Sequence, residues 1–478
     1  MVDDYPDPSV FVQAVADCVN TGVFDSALGR DVNTPHNPFV DDSLMADIRR
    51  HILTSMAASI ESLFLCMGPL EEKFRRSPLS MDKYSAFPCS WEKVQLGLLI
   101  NTRKMNITLP SDKMKRLVDT LKNTWHKSRK SFTLLEGVTL LGHLEHACMV
   151  CSWGRPLFCA LRSAVNDCLR TRIRHMHKTS DLTAMASTIR DAKTDDEKIL
   201  FDAFLQKKIS RSLYQSKEPC FISKELSFEL SFLHDVLADP SAYPWECPIA
   251  HLVPRSPDFT ATGDSSLFAA GGYSLDLKFW WYISWPPDIQ SKTLKFFIIT
   301  KKDPSTGDLI SINLLEFAVV IINYAAATHA LSLLPPSNRN PFPVLLNRAD
   351  NMTANKWSLK AATTNLAGRS LSRLFCGLRL NNPLGLNCDF LPGHLNTIAD
   401  RISRVSSMPG SPPDFTFLSQ EFPELASCQR FHPSPELLSC LLQALHSKLG
   451  PGIHQPTTLG QMSPERSFTS PRLSQNTN

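Results

Sequence analysis

Four acidic residues in the second half of the sequence stand at the ends of apolar segments or inside them. They are Asp264, Glu316, Asp350 and Asp400. A buried carboxylate is costly unless it is paired with a cation or bound to a metal. If the four converge, two divalent cations about 4 Å apart would relieve their repulsion, activate a water and stabilise the leaving oxygen of a phosphodiester. Mg²⁺ or Mn²⁺ would suit these oxygen ligands.

The segments around these acids predict an α/β fold, in which helices pack on a mixed sheet. Strands are predicted at 259–265, 267–274, 276–284, 343–346 and 384–391, and helices at 312–334, 353–379 and 396–404. Asp264 and Asp350 would then end strands. Glu316 would lie in the first turn of a long helix, and Asp400 in a short closing helix. The longest apolar run, 317–327, is too short and too polar to span a bilayer, which predicts a buried helix.

The motifs that contain these acids resemble the ribonuclease H domain of long-terminal-repeat or tyrosine-recombinase retrotransposons. They are Gly263-Asp264-Ser265 with Gly271-Gly272-Tyr273-Ser274, Leu314-Leu315-Glu316, Asp350-Asn351, and Gly393-x-x-Asn396-x-x-Ala399-Asp400 with Ser403-Arg404. The resemblance implies hydrolysis of the RNA strand of RNA–DNA hybrids, with all four acids as metal ligands. The family often has a histidine three residues before the closing glycine. This chain has Phe390 there, and His394 follows the glycine instead.

Each acid taken alone has an ordinary structural explanation. A single Asp at a strand end is more often a helix cap or a turn former. Glu316 in a first helical turn would interact with the helix dipole. The four acids together, with their glycine and asparagine neighbours, favour the metal site.

An upstream motif, Phe39-Val40-Asp41-Asp42, resembles the paired aspartates of a reverse-transcriptase palm. Lys83 matches a palm lysine that neutralises pyrophosphate, and 96–110 matches the primer-grip hairpin. Asp41 and Asp42 on a hairpin would hold Mg²⁺ for nucleotidyl transfer, and a solvated turn is the alternative. The residues before Phe39 are too few for the upstream palm strand and the fingers. We therefore expect no DNA polymerisation by this chain alone, and a missing fingers–palm segment as a partner.

Clusters of basic residues predict a nucleic-acid track, because cations neutralise phosphates and aromatic rings stack on bases. The residues are Lys113, Lys115, Arg116, Lys127, Arg129 and Lys130 around Trp125, followed by Arg170, Arg172 and Arg174. For any one cluster, a solvated helix face is the alternative. Their occurrence in a thumb-like and connection-like region favours an RNA–DNA hybrid or another nucleic acid as the partner.

A compact set of metal-ligand residue types lies at His143, His146, Cys148 and Cys151. The spacing is too tight for the usual paired-ligand zinc arrangement, so we expect no zinc site there. Gly271-Gly272 is too short for a phosphate loop and predicts a bulge or a tight bend. Trp280, Trp281 and Trp285 are expected in the core or at a sheet edge.

Bulk composition excludes little: net charge is +4 and hydrophobic residues make up 43% of the chain, as in ordinary globular proteins. The 13 cysteines form no repeating framework and the first residues are acidic and polar. Both features favour a cytoplasmic or nuclear protein with reduced thiols, not bound to a membrane.

Four regions are predicted: a partial reverse-transcriptase palm at 1–110, a helical thumb-like and connection-like region at 111–249, a ribonuclease H-like mixed sheet with flanking helices at 250–405, and a Pro/Ser-rich, largely disordered tail at 406–478. Two functions are compatible with this organisation. One is a metal-dependent nuclease acting on RNA–DNA hybrids, and the other is a non-catalytic nucleic-acid-binding remnant of a retrotransposon polyprotein.

Overall fold

The structure, a computed structural model, divides into two compact units, Met1–Pro110 and Ser111–Asn478. The first boundary predicted from the sequence falls at the same residue. The structure describes residues 36–38, 43–45, 91–178, 214, 218–252, 255–298, 309–335, 340–360, 365–380, 382, 384–405, 415–416, 418–448, 454 and 456–463. The mixed α/β class predicted from the sequence is confirmed in this general form.

The described part of the first unit contains short antiparallel strands. They are β1 (His36–Pro38), β2 (Ser43–Met45), β3 (Glu92–Gln95), β4 (Leu98–Asn101) and β5 (Asn106–Thr108). β1 pairs with β2, and β4 pairs with both β3 and β5. The predicted hairpin is therefore confirmed as β4 and β5, and β3 adds a strand that the sequence did not predict.

The turn between β4 and β5 is closed by a side chain. The Asn101 amide oxygen accepts hydrogen bonds from the backbone N–H groups of Arg103 and Lys104, at 3.0 and 2.7 Å. Asparagine favours such turns because its short side chain can satisfy the backbone two residues on. The polar residues that the sequence places in this turn thus fix the register of the hairpin.

The second unit begins with a largely helical part. Its elements are α1 (Ser111–Asp119), β6 (Ser131–Phe132), α2 (Leu134–Ala147), α3 (Cys159–Lys178), β7 (Cys220–Phe221), α4 (Lys224–Ala238) and β8 (Glu246–Pro248). α2 starts at a capping box between Thr133 and Glu136, and the Ser223 side chain caps α4. These caps satisfy backbone N–H groups that a helix start leaves without partners.

A mixed sheet follows in the same unit. Its elements are β9 (Phe259–Ser265), β10 (Ala269–Ser274), β11 (Phe279–Ser284), α5 (Pro287–Ile298), α6 (Ile312–Leu333), β12 (Val344–Ala349), α7 (Met352–Lys360), α8 (Leu366–Leu380), β13 (Gly385–Phe390), α9 (Thr397–Ser403), α10 (Leu418–Glu421), β14 (Gln429–Pro433), α11 (Pro435–Leu445) and β15 (Gly460–Ser463).

Within the described residues the strand order is β13-β12-β9-β10-β11-β14-β15. β12 and β13 run parallel to β9, whereas β10 is antiparallel to both β9 and β11. β14 is parallel to β11, and β15 returns antiparallel to β14. The parallel pairing of β9 and β12 brings the carboxyl ends of these two strands to the same edge of the sheet.

Most strands and helices around the acids agree with the sequence predictions, and β9 agrees at both ends. The single helix predicted at 353–379 is wrong, because two helices, α7 and α8, occupy this stretch. Gly368 does not separate them. It lies buried inside α8, two residues after that helix begins.

The prediction of a largely disordered tail at 406–478 is wrong for its described part. β14, α11 and β15 extend the sheet beyond β11, so the sheet does not end at residue 405. Phe431, Leu437 and Leu441 are almost completely buried in the same core as α6. The sequence does indicate an amphipathic patch at 435–449, which contains Leu437 and Leu441, but the surrounding Pro- and Ser-rich composition hid β14 and its Phe431.

Helix α6 runs through the centre of this core. By length and hydropathy it could cross a membrane, but 83% of its most apolar window is buried inside the protein. Its buried residues surround the helix on all sides, as in a fully enclosed core helix. The predicted buried helix at 317–327 is confirmed.

The glycines of β9 and β10 allow helices to approach both faces of the sheet. A Cβ added to Gly263 would overlap Val319 of α6, and one added to Gly271 would overlap Ile402 of α9. The predicted bulge at Gly271-Gly272 is wrong, because both residues pair with β9 and β11 in an unbroken register. Here glycine provides space for a neighbouring helix.

Candidate metal centre

Three of the four predicted acids converge where the carboxyl ends of β9 and β12 face the start of α6. Asp264 is the last residue but one of β9, Asp350 directly follows β12, and Glu316 lies in the second turn of α6. Each offers one carboxylate oxygen, and the three oxygens lie within 4.8 Å of one another. In the part of the chain that the structure describes, this is the only such group of three or more His, Cys, Asp or Glu residues. We call these residues the acid cluster.

Two carboxylates of the acid cluster are buried. Glu316 is 3% exposed and Asp264 is 6% exposed, while Asp350 has the greatest solvent access of the three. Glu316 Oε1 accepts a hydrogen bond from the Ser265 N–H at 3.0 Å, and Asp264 Oδ2 accepts one from the Ser403 hydroxyl at 2.6 Å. Glu316 Oε2 is buried and has no hydrogen-bond partner. A buried oxygen without a partner carries the full cost of desolvation.

Burial and mutual repulsion disfavour the charged forms of these acids. Burial raises the pKa of Glu316 well above its usual value, and the neighbouring Asp264 and Asp350 raise it further. Burial also raises the pKa of Asp264, opposed by the Ser403 hydroxyl and reinforced by Asp350 and Asp400. The pKa of Asp350 is raised by burial and by Asp400. The acid cluster is therefore a site that favours the approach of a cation.

Asp400 lies beside the acid cluster but is not part of it. It is close enough to raise the pKa of Asp264 and of Asp350. Its Oδ1 pairs instead with the Arg404 guanidinium one turn later in the chain, at 2.6 Å. Three of the four predicted ligands therefore converge. The fourth, Asp400, lies beside them and forms an ion pair with Arg404.

The closing motif holds α9 and its preceding turn against the acid cluster. A Cβ on Gly393 would lie 3.3 Å from Asp350 Oδ2, so the backbone of this turn passes directly beside that carboxylate. Asn396 is buried, and its amide donates to the Gly263 carbonyl at 3.2 Å. The Ser266 hydroxyl donates to the Ser403 carbonyl at 2.9 Å. Ser403 belongs to the motif in the sequence, but no sequence pattern indicates that its hydroxyl contacts Asp264.

Asn351 fixes the chain immediately after Asp350. Its side-chain oxygen accepts from the N–H groups of Thr353 and Ala354, which caps α7, and its amide donates to Asn313 Oδ1 at 2.8 Å. Asn313 lies in the first turn of α6. One asparagine therefore ties the strand end that carries Asp350 to the helix that carries Glu316.

The acid cluster fits a divalent metal ion. Its donors are all carboxylate oxygens, which suit hard cations. The orphaned Glu316 Oε2 is a buried acceptor that a cation would satisfy.

Phe390 occupies the position at which the ribonuclease H family often has a histidine. Its side chain is exposed, and its backbone pairs with Ala349, the residue before Asp350.

Two residues predicted to bind nucleic acid have structural roles instead. Trp125 is only 4% exposed and packs against Phe132, with ring centroids 5.0 Å apart, so it is unavailable for base stacking. Arg172 is buried and donates to the Glu218 carbonyl at 2.6 Å. Both predictions are wrong because long-range partners cover these side chains.

The other predicted basic residues differ in availability. Arg129 pairs with Glu136 at 2.6 Å, and Arg116 pairs with Asp112 at 2.6 Å. Lys113 is half-buried, and the exposed residues are Lys115, Lys127, Lys130 and Arg170. The Arg174 side chain lies outside the described part of the chain, as do the polymerase-like residues Asp41, Asp42 and Lys83.

The compact His/Cys set does not converge among the described residues. Cys148 and Cys151 are buried, and burial raises the pKa of both thiols. His143 is exposed on α2.

Comparison of the chain with models of known protein families finds no match. Neither the curated proteins nor the solved structures contain a match. Evidence for function therefore comes from the residues themselves. Among these, the acid cluster has the chemistry of a divalent metal centre.

Proposed function

We propose that the chain is a metal-dependent nuclease that hydrolyses the RNA strand of RNA–DNA hybrids by two-metal catalysis. In this proposal it derives from a retroelement reverse transcriptase with ribonuclease H. The observation that carries the proposal is the convergence of Asp264, Glu316 and Asp350 within 4.8 Å. These acids come from a strand, a helix and a second strand that are distant in sequence.

The positions of the acids support the proposed relationship. The resemblance expects the first acid on a strand beside a second, Gly-Gly-containing strand, and Asp264 lies opposite Gly271. It expects the next acid on a helix and the third after a strand, as found for Glu316 and Asp350. The closing motif contacts both strand acids, through Ser403 and Gly393.

Asp264, Glu316 and Asp350 would hold the cations. Bound divalent metals would supply an activated water and charge stabilisation at the leaving oxygen of the phosphodiester. The Ser403 hydroxyl and the Ser265 N–H hold the two buried carboxylates in place. Because Asp350 has the greatest solvent access, the scissile phosphate would approach from its side. Arg404, one turn from Asp400, would attract the phosphate backbone.

The test is cleavage of a hybrid whose RNA strand is labelled, in Mg²⁺ or Mn²⁺, by the wild type and by Asp350→Asn. We expect metal-dependent cleavage by the wild type and its loss in the variant, because the amide removes one anionic ligand. Asp112→Asn is the control, since Asp112 is an exposed acid on α1, outside the acid cluster. Equal cleavage by the wild type and Asp350→Asn would overturn the proposal.

The second candidate is a non-catalytic nucleic-acid-binding remnant. The pairing of Asp400 with Arg404 favours it, because three carboxylates offer fewer bridging oxygens for two cations than four do. A folded protein that binds the hybrid but does not cleave it in either metal would favour this candidate.

A further inference from the structure

A groove of about 400 Å³ lies in the helical part of the second unit, between α4 and the segment that follows α1. Lys127, Arg129 and Lys130 line one side, and the exposed face of α4 lines the other. Along α4 the lining residues are Lys224, Ser227, Phe228, Ser231, Phe232 and Asp235. Their spacing of three and four residues places them on one face of the helix. We call this feature the α4 groove.

The α4 groove is positively charged. Lys127, Lys130 and Lys224 are exposed, and none of the three has an ion-pair partner among the described residues. The first turn of α4 also lines the groove, and the N-terminal end of a helix carries partial positive charge. The acid in the lining, Asp235, lies next to His234, whose Nδ1 is 3.1 Å from its carboxylate. The groove therefore suits a polyanion.

The α4 groove also presents an aromatic face. Phe228 is 51% exposed, and its ring stacks nearly parallel to Phe232, with centroids 6.5 Å apart and an interplanar angle of 8°. The exposed ring of Phe228 is costly in water, whereas the lysine ammonium groups are well hydrated. A flat, anionic ligand would cover the ring and pair with the lysines at the same time. Unpaired nucleotides have this combination of properties, because every base has a π-face and every linkage has a phosphate.

We propose that the α4 groove binds a single-stranded segment of nucleic acid, with phosphates on Lys127, Lys130 and Lys224 and a base stacked on Phe228. A duplex would not fit this chemistry, because its bases already stack on one another. An acidic peptide would use the lysines but would gain little from the aromatic ring. The site goes beyond the proposed nuclease and needs no metal ion.

The experiment is fluorescence anisotropy with the full chain, a labelled twelve-nucleotide oligothymidylate and excess EDTA. We expect Phe228→Ala to weaken binding about tenfold, since one stacked base contributes about 1–3 kcal/mol. Phe297→Ala is the matched control, because Phe297 is 47% exposed on α5, outside the groove. The same oligonucleotide in a duplex is expected to bind more weakly than the single strand.

A salt titration tests the lysines. Replacing both Lys127 and Lys130 with Gln should reduce the slope of log K against log salt by about 1.4, at about 0.7 per neutralised phosphate. Lys295→Gln on α5 is the control and should leave the slope unchanged.

Three outcomes would overturn the proposal. The first is equal binding by Phe228→Ala and Phe297→Ala, and the second is duplex binding as tight as single-strand binding. The third is displacement of the oligonucleotide by a polyglutamate peptide, combined with no effect of Phe228→Ala on binding. The last would assign the groove to an acidic protein segment. Because EDTA is present, the result is independent of cleavage. A chain that binds but does not cleave would refute only the nuclease, and one that cleaves without Phe228-dependent binding would refute only the groove.

Discussion

Two glutamates of the second unit are almost equally buried but differ in their hydrogen-bond and ion-pair partners. Glu229 of α4, 2% exposed, pairs with the buried Arg373 of α8 and accepts the Ala160 N–H at 2.7 Å. Glu316 of α6, 3% exposed, accepts one N–H, faces two further acids and leaves Oε2 without a partner. The Glu229 carboxylate therefore has both an ion-pair partner and a hydrogen-bond donor, whereas one oxygen of Glu316 has neither.

This difference separates an acid with a structural role from a candidate metal-binding acid. Burial raises the pKa of Glu229 to about 7, although Arg373 opposes the shift. The Glu229–Arg373 pair links the helical part to the helices packed on the mixed sheet. At Glu316 nearby acids add to the effect of burial on the pKa, and among the described residues no cationic side chain opposes that increase. The chain supplies its own cation to Glu229, whereas the acid cluster could take a cation from solution.

The largest expected effect is on cleavage. Glu316→Gln should reduce the rate of hybrid cleavage about 10³-fold, because loss of a metal ligand costs several kcal/mol of transition-state stabilisation and each 1.36 kcal/mol is about tenfold. The thermal midpoint in EDTA should not fall, because the amide cannot ionise in this buried position beside Asp264 and Asp350. Gel assays and calorimetry on the same samples measure both. Glu229→Gln is the matched control, and its folded fraction should cleave at the wild-type rate. A loss of cleavage rate equal to that of Glu316→Gln would show that the two glutamates do not differ in role.

The next effect is on stability. Arg373→Met should lower the free energy of unfolding by about 3–5 kcal/mol, because it leaves Glu229 buried without its cation. Denaturant titration with EDTA present measures this change. Arg401→Met is the control, since its pair with Glu421 is exposed and should contribute less than about 1 kcal/mol. Equal effects of the two substitutions would show that burial of the ion pair is unimportant.

A smaller effect is the pH dependence of the metal-free protein. The raised pKa values of Asp264, Glu316 and Asp350 mean that the native state binds more protons than the unfolded state. Stability should therefore fall as pH rises from about 4, the ordinary carboxyl pKa, through the raised values. For each acid the loss is about 1.36 kcal/mol for every pH unit that separates its native pKa from its unfolded pKa.

Thermal midpoints in EDTA and in saturating Mg²⁺, between pH 5 and 8, check this prediction. Saturating Mg²⁺ should remove the part of the pH dependence of the thermal midpoint that comes from the acid cluster. The part that comes from Glu229, whose pKa is also raised, should remain. A slope that is identical with and without Mg²⁺ would contradict a cation site at the cluster.

The smallest effect concerns Asp400. Arg404→Gln should change the free energy of unfolding by less than about 0.5 kcal/mol, because the Asp400–Arg404 pair is largely exposed. It should tighten Mn²⁺ binding about threefold, since it removes a nearby positive charge and frees a fourth carboxylate. Isothermal titration calorimetry measures the affinity. Weaker Mn²⁺ binding would show that Arg404 supports the site instead of competing with the metal.

The sequence predicted the acid cluster because its members follow apolar strands or interrupt an apolar helix, and local patterns reveal such positions. It did not predict Glu229, since the partner that explains its burial, Arg373, lies in another helix far along the chain. Trp125 and Arg172 were assigned wrongly for the same reason: a basic or aromatic residue in a polar stretch does not reveal what covers it. The last strands were missed because short apolar positions were diluted by Pro and Ser.

The addition of β14 and β15 to the sheet has a consequence for biosynthesis. All three acids lie upstream of residue 405, but β11 has a free edge until β14 pairs with it. Phe431 and Leu437 complete the core around α6, which carries Glu316. During translation the centre would therefore form only when nearly the whole chain has left the ribosome. A product that terminates before β14 would carry every acid of the site and expose an apolar strand edge prone to aggregation.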